Sequence, residues 1–401
     1  MKVLHTSDWH IGQRLYTNFR DEEHSLFFDW LIEQINVQKV DLLIVSGDIF
    51  DVAFPSNQAL KLYYKALYQI STSYCKNIII VGGNHDSPST LGAPKEILQF
   101  LNIHIVGGIS DDLLQQIIEI KIDEKVELVV CAVPFLRDSD IRKSTEGESY
   151  EDKTISIKAG ISNHYKALSE LTQIYKQQNI PVIATGHLFA TGVSKSDSER
   201  EIYIGNLGSM EAENILFSFD YLALGHIHKP QKVAKNEFIR YSGSPIPLSF
   251  SEQNDSKCVL LLDISNNSKT ILPIEVPQFR KLVSLKGSFL EVRSRLLDYT
   301  NSSQLTDWLE IYIHEDKINH AINLAFEELK ADLKHIEILK FNISFAEQLT
   351  EITSFFDQSK SIADIDVLDV FQNMMQEQQV ADKEELTLIF KELVEQIENY
   401  E

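Results

Sequence analysis

The sequence predicts an α/β fold, a layered αββα sandwich extended by a small α+β capping domain and C-terminal helices, and three observations carry that prediction. Short β-branched runs that end in small, acidic or imidazole residues recur along the chain: KVLHTSD, DLLIVSGD, NIIIVGGNHD, VELVVCAVP, PVIATGH and YLALGH. Helical patterns, with apolar residues three and four apart, lie between several of them at 21–37, 56–70 and 157–177. Strand and helix therefore alternate as in a sheet buried on both faces. After Pro273 and Pro277 the alternation restarts on a smaller scale, as a separate domain does.

Each element follows in order. The first domain is expected over 1–275. Its late segments KCVLLLDIS and KTILPIEV have no helix between them and read as antiparallel strands closing a second sheet, which makes the fold layered rather than purely parallel. Polar, aperiodic stretches at 137–153 and 194–201 read as surface loops. From 276 to 345, RKLVSLK, a helical stretch to about Asp298, DWLEIYIHE, the helix NHAINLAFEELKADL and HIEILKFNISF read as β-α-β-α-β, the capping domain. The remainder, 346–401, carries two amphipathic helices with stripes Ile365, Leu368, Phe371, Met375 and Leu386, Ile389, Phe390, Leu393, Val394, Ile397.

The 401 residues are 43% hydrophobic and 24% charged, which excludes a disordered chain and allows two or three domains with cores of their own. No apolar run approaches the ~18 residues of a membrane span, and MKVLHTSDWH interrupts any signal-like stretch with acid and imidazole groups. A cytoplasmic protein is expected. Cys75, Cys131 and Cys258 are three, widely spaced and without a C-x-x-C pair, so they read as buried free thiols rather than disulfides or thiolate zinc ligands. The net charge of −22 argues against coating nucleic acid by charge alone. Half of that excess sits beyond residue 340, where 3 Lys and Arg face 14 Asp and Glu. The body retains the capacity for a local basic surface around bound cations.

Five segments carry the chemistry: Asp8-Trp9-His10, Gly47-Asp48, Gly83-Asn84-His85-Asp86, Gly186-His187 and Gly225-His226-Ile227-His228. Each closes an expected strand, and polar groups at the carboxyl ends of strands converge on one site in an α/β sheet. The pairs Asp8 and His10, and His226 and His228, are two apart, a spacing that turns both side chains to one face of a strand end. One such dipeptide means little, since a capping Asp or a hydrogen-bonded core His explains it equally well. Five in series are another matter. Two Asp, one Asn and four His form an oxygen and nitrogen donor set without sulfur, suited to Mn²⁺ or Fe²⁺ and tolerant of Zn²⁺. Seven donors exceed the needs of one ion and fit two that share a carboxylate, the arrangement that drives in-line displacement at phosphorus. His85, left over from the count, is placed to stabilise the transition state or protonate a leaving oxygen. His5, His24, His104, His164, His314, His320 and His335 fall outside the pattern and read as structural or surface histidines.

At these residues the sequence resembles the calcineurin-like metallophosphoesterases, whose succession D-x-H, G-D, G-N-H-[DE], G-H and G-H-x-H it reproduces. Within them, LHTSDWHIGQRL, DLLIVSGDIFD, VGGNHDSP, SDSERE, DYLALGHIHKPQ and RYSGSPIPLSFSE look like the SbcD family of bacterial nuclease subunits, strongly over 1–265 and by architecture beyond. The resemblance implies that Asp8, His10, Asp48 and His228 hold one ion and Asp48, Asn84, His187 and His226 the other. Asp48 is then the bridge, His85 the catalytic histidine, and Mn²⁺ the usual ion of the two divalent metals. Some relatives have a second functional histidine shortly after G-D, where this chain has Asp51, so that role does not transfer. Asp51 or Asp86 is the candidate to orient His85.

The same resemblance implies DNA ends and hairpins as substrate, cut by exonuclease and endonuclease activities in DNA repair and recombination. Its partner is an SbcC-like coiled-coil ABC ATPase. The chain has no G-x-x-x-x-G-K-[ST] loop, so an ATP effect must come from that partner. The C-terminal helices would dock on the partner's coiled coil or pack on each other or on the capping domain. A homodimer within a heterotetramer would form through 56–70, where Leu60, Tyr63, Tyr64, Leu67 and Tyr68 make a broadly apolar face, and 93–101. Lys195, Lys229 and Arg240 are the candidate phosphate contacts. The competing readings are a phosphatase or cyclic-nucleotide phosphodiesterase, which the metal chemistry alone permits, and a non-catalytic scaffold, which has no need of seven convergent ligands.

Overall fold

The computed structural model describes residues 1–142, 147–194, 198–199, 209–265, 268–319 and 321–346, with Phe371, Leu386, Thr387 and 389–391 beyond them. Lys195 and most of the expected C-terminal helices lie outside the described residues. In chain order the strands are β1 (Lys2–Thr6), β2 (Arg14–Leu15), β3 (Asn18–Phe19), β4 (Leu42–Ser46), β5 (Asn77–Val81), β6 (Ile103–Val106), β7 (Ile117–Ile122), β8 (Lys125–Cys131) and β9 (Val182–His187). They continue as β10 (Tyr221–Gly225), β11 (Gln231–Lys232), β12 (Ile239–Tyr241), β13 (Cys258–Ser265), β14 (Ser268–Glu275), β15 (Leu282–Gly287), β16 (Asp307–Glu315) and β17 (Ile336–Phe345).

Two six-stranded sheets dominate, ordered β14-β13-β1-β4-β5-β6 and β11-β12-β10-β9-β8-β7. In the first, β1, β4, β5 and β6 run parallel while β13 and β14 are antiparallel. The second is parallel through β8, β9, β10 and β12. Its antiparallel edges are β7 and β11. KCVLLLDIS and KTILPIEV are antiparallel, as expected, but they extend the first sheet through β1 rather than closing the second. An apolar run announces burial on both faces without naming the partner, so six similar strands gave no sign of dividing between two sheets.

The division is visible in the cores. Val3, Leu42, Ile44, Ile79 and Val81 of the first sheet meet Leu128, Val130, Ile183 and Ala223 of the second in one buried cluster. The outer face of the first sheet is covered by helices Asp21–Gln38, through Phe27, Phe28, Leu31 and Ile35, and Asn57–Ser71, through Tyr63, Ala66, Leu67 and Ile70. Helix Tyr150–Leu171 covers the second sheet with Ile157, Ile161, Tyr165 and Leu168. The layers are thus αββα, and each fully buried Phe, Leu or Ile contributes on the order of 1.5–3 kcal/mol.

Local chemistry sets the helix ends. The Ser56 hydroxyl accepts from the Ala59 amide and caps one helix. Asp21, Glu22 and Glu23 lie in the first turn of another, where the helix dipole favours them. The polar stretch expected as a loop to 153 becomes helical at Tyr150, because Ser149 and Asp152 form a capping box.

The chain divides into two compact units. One comprises Met1–Ser284, Asn301–Glu310 and His335–Leu339, the other Leu285–Thr300, Ile311–Lys334 and Lys340–Glu401. The third sheet, ordered β15-β16-β17, alternates along the chain with helices Phe289–Leu297 and Ala321–Asp332, the β-α-β-α-β order read from the sequence. Among the described residues no helix is long and apolar enough to cross a membrane. Cys75, Cys131 and Cys258 are free and buried.

Candidate metal centre

The loops that follow β1, β4, β5 and β10, with the last residue of β9, build the centre at the carboxyl ends of parallel strands. The first two loops are laced together by main-chain bonds. The amides of Asp8, His10 and Ile11 donate to the carbonyls of Gly47, Asp48 and Ile49 at 3.0, 3.0 and 2.9 Å, which prolongs the β1–β4 pairing beyond the strands. The backbone there is no longer extended. Asp8, His10, Asp48 and His226 have φ of 52°, 47°, 49° and 98°, a region that costs non-glycine residues about 1–3 kcal/mol each and persists where surrounding contacts hold it.

Three groups of side chains result: Asp8 with His10 and His228, Asp48 with His187 and His226, and, sharing His10 with the first, Asp51 with His10 and His85. His226 and His228, two apart, therefore fall into different groups, because the left-handed turn at His226 breaks the strand period that would have turned them to one face. Asp48 lies centrally: its Oδ2 is 3.2 Å from His187 Nε2, 3.6 Å from His10 Nε2 and 4.0 Å from His85 Nε2. Asn84 joins the second group through Oδ1, 2.9 Å from His187 Nε2. The His85 ring stands 4.7 Å from that of His10, centroid to centroid. All eight residues singled out in the sequence thus come together.

The surrounding bonds hold this arrangement. Ser7 Oγ donates to Asp8 Oδ2 at 2.6 Å, and the His226 amide donates to Asp8 Oδ1 at 2.8 Å. The His85 amide donates to Asp48 Oδ1 at 2.9 Å. Asp86 orients no ring. Its carboxylate accepts the amides of Ile49, Phe50 and Gly83 at 3.0, 3.0 and 2.9 Å and ties two loops together. His85 Nδ1 is bonded to the main-chain carbonyl of Asp51, 2.7 Å away. Asp51 therefore orients His85 through its backbone, while its Oδ1 lies 3.3 Å from His10 Nδ1.

Charge balance supports a cation at this place. Burial alone would depress the His187 pKa, yet Asp48, Asp8 and the Ser46 carbonyl outweigh it and push it up to about 9. Burial raises Asp8, with the neighbouring histidines opposing and Asp48 adding to the rise. Two buried carboxylates are thus compensated in this chain by a proton on an imidazole. His10 Nε2 is buried without a hydrogen-bond partner among the described residues. An oxygen and nitrogen donor set with an orphaned imidazole nitrogen and excess negative charge fits divalent ions.

Two of the candidate phosphate contacts, the exposed Lys229 and the half-buried Arg240, already have acidic partners. Lys229 pairs with Asp255 at 3.1 Å, and Arg240 donates to the Glu237 carbonyl at 3.0 Å while pairing with its carboxylate. Sequence reasoning missed Glu252 and Lys257, a buried ion pair beside His228. Glu252 ends the quoted SFSE run, but neither spacing nor periodicity marked its carboxylate as buried. Of the histidines set aside, His5 and His24 are buried inside the fold, and His320 lies outside the described residues.

Residues 1–230 match the calcineurin-like phosphoesterase family, and residues 278–379 match a family described as type 5 capsule protein repressor C-terminal domain. Among curated proteins, the chain is 36% identical to the SbcD subunit of nuclease SbcCD from Escherichia coli, over 92% of each chain. It is 33% identical to the SbcD subunit of nuclease SbcCD from Rhodobacter capsulatus, over 70% of this chain and 71% of that one. To the protein of the same name in Bacillus subtilis it is 29% identical over 66% of each. With the motif residues gathered at one centre and likeness extending along nearly the whole chain, the protein belongs to the calcineurin-like phosphoesterases and, within them, to the family of SbcD nuclease subunits, as a metal-dependent phosphodiesterase.

Proposed function

We propose that this nuclease subunit uses two Mn²⁺ ions to cut DNA, as an exonuclease on duplex ends and an endonuclease on single strands and hairpins, in company with an SbcC-like ATPase. The observation that carries the reading is the convergence of Asp8, His10 and His228 with Asp48, His187 and His226 around one carboxylate. Asp8, His10, Asp48 and His228 would hold one ion, and Asp48, Asn84, His187 and His226 the other. When bound, the two ions supply Lewis-acid stabilisation of charge at phosphorus and a water acidic enough to attack near neutral pH.

The chain's own residues do the rest. His85 has Nδ1 committed to the Asp51 carbonyl, so its proton traffic runs through Nε2, the nitrogen facing Asp48. From there it donates to the leaving oxygen. Asp86 keeps the His85 loop in register with the Asp48 loop. Lys195, Lys229 and Arg240 would meet DNA phosphates, the latter two by exchanging their acidic partners.

The remaining architecture fits the same reading. Domains at 1–275, 276–345 and 346–401 would serve catalysis, capping and partner docking. Tyr64, Tyr68, Ile97 and Phe100 are exposed, which supports a homodimer through the two helical segments that bear them, as half of a heterotetramer. The excess acid beyond residue 340 suits contact with protein rather than DNA. Action on DNA fits a cytoplasmic location.

The test is an assay on end-labelled linear duplex and hairpin DNA with Mn²⁺, beside His85→Ala and Asp48→Ala. Wild type is expected to degrade the duplex and open the hairpin, more so with an SbcC-like partner and ATP, while both variants are inert. Equal activity in all three proteins would defeat the mechanism. Brisk hydrolysis of a nitrophenyl phosphate with intact DNA would favour a phosphatase.

A further inference from the structure

Glu252 and Lys257 are both buried, at 0% and 4% exposure, and Lys257 Nζ lies 2.6 Å from Glu252 Oε2. Every polar atom of the pair is engaged. Lys257 Nζ also donates to the His228 carbonyl at 2.9 Å and to Ser244 Oγ at 3.0 Å, and the Leu248 amide donates to Glu252 Oε2 at 3.1 Å. Glu252 Oε1 turns the other way, to 3.3 Å from His228 Nδ1. The Ser198 hydroxyl stands between them, 2.6 Å from that nitrogen and hydrogen-bonded to Oε1. A buried ion pair is weak evidence for stability, since desolvation offsets its attraction, and this one is aimed at a residue of the metal centre.

Proton bookkeeping gives the aim its meaning. An ionised carboxylate only accepts hydrogen bonds. The Ser198 O–H therefore points at Glu252, and what Ser198 Oγ and Glu252 Oε1 offer His228 is lone pairs. His228 is held with its proton on Nδ1, and Nε2 is left with a lone pair toward Asp8 and His10. His187 is fixed in the same sense by a different device, the main-chain carbonyl of Ser46 at 3.0 Å, which no substitution removes.

We infer that Glu252, anchored by Lys257, is a positioning residue that locks the tautomer and direction of His228 and thereby sets the affinity of the one ion held with Asp8 and His10, leaving the other ion untouched. This rests on the two-ion reading above. A carboxylate behind a ligating imidazole characteristically governs metal affinity by about 10–100-fold. A Gln at 252 would present an N–H to Nδ1 and favour the wrong tautomer.

The experiment is Mn²⁺ titration of the full chain by calorimetry, with electron paramagnetic resonance counting free Mn²⁺. It compares wild type, Glu252→Gln, and Glu252→Gln/Lys257→Met, which removes both charges and leaves neither orphaned. Wild type is expected to bind two ions. In both variants one site should weaken by about tenfold or more while the other stays within about threefold. Unchanged affinity at both sites, or equal weakening of both, overturns the inference. Should Glu252→Gln fail to fold, the double variant decides by the same criteria. A wild type that binds fewer than two ions overturns the two-ion reading and the inference with it.

Discussion

The Nδ1 proton of His85 is given to the main-chain carbonyl of Asp51, 2.7 Å away, so the orientation of the proposed catalytic imidazole is written in backbone rather than in a side chain. A substitution at Asp51 leaves that carbonyl in place. With saturating Mn²⁺, Asp51→Ala is expected to retain nuclease turnover within about tenfold, whereas His85→Ala should lose roughly 10²–10⁴-fold and still bind metal. Equal losses in the two variants, measured as initial rates on labelled duplex, would mean that the Asp51 carboxylate holds the ring after all.

Gly83 shows how closely the loops approach. A Cβ there would run into the carboxylate and amide of Asp48, whereas one at Gly92 would meet open space. Gly83→Ala should therefore displace Asp48 and weaken Mn²⁺ binding more than about tenfold, with Gly92→Ala unchanged. Calorimetric titration checks this, and normal affinity in Gly83→Ala would show that Asp48 has room to spare.

His187 predicts a proton count. Its pKa in the chain stands at about 9, since Asp48 and Asp8 outweigh the effect of burial, so at pH 7 the imidazole is charged and must lose its proton to ligate. Mn²⁺ binding at pH 7 is expected to release protons, from His187 and also from His10, which its carboxylate neighbours raise against burial, read from the dependence of binding enthalpy on buffer ionisation. A binding enthalpy independent of the buffer would contradict a charged His187.

His5 and His24 predict acid sensitivity. Burial lowers His5 to about 3, and burial with nearby Arg20 lowers His24 to about 4 against opposing hydrogen bonds. The unfolded chain takes up protons on both below about pH 6.5, and the folded chain does not. Their contribution to stability is thus complete above that pH and falls as pH drops toward 4. Chelator-treated protein should lose melting temperature between pH 6.5 and 4.5, and His5→Asn should lose less. A melting temperature that rises over this interval would contradict two neutral buried histidines.

Much of this was legible in the sequence because each ligand segment closes an apolar strand. The runs ending at Asp8, Asp48, Asn84, His187 and His226 marked residues that share the sheet ends. Pairing between distant strands was not legible. Nothing in KCVLLLDIS says that it lies against β1, since a run buried on both faces reads alike in either sheet. Nor did spacing reveal that His226 and His228 part company, which depends on a left-handed turn. Glu252 escaped because a buried carboxylate is recognisable only by its partners, Lys257 and His228, and no strand or helix period in the sequence links it to either.

The central claim is two ions at one carboxylate, and anomalous diffraction from crystals of the protein with Mn²⁺ tests it most directly. Two anomalous peaks roughly 3.5–4 Å apart are expected, one beside Asp8, His10 and His228, the other beside Asn84, His187 and His226, with Asp48 between them. A single peak, or two peaks that do not share Asp48, would contradict the account.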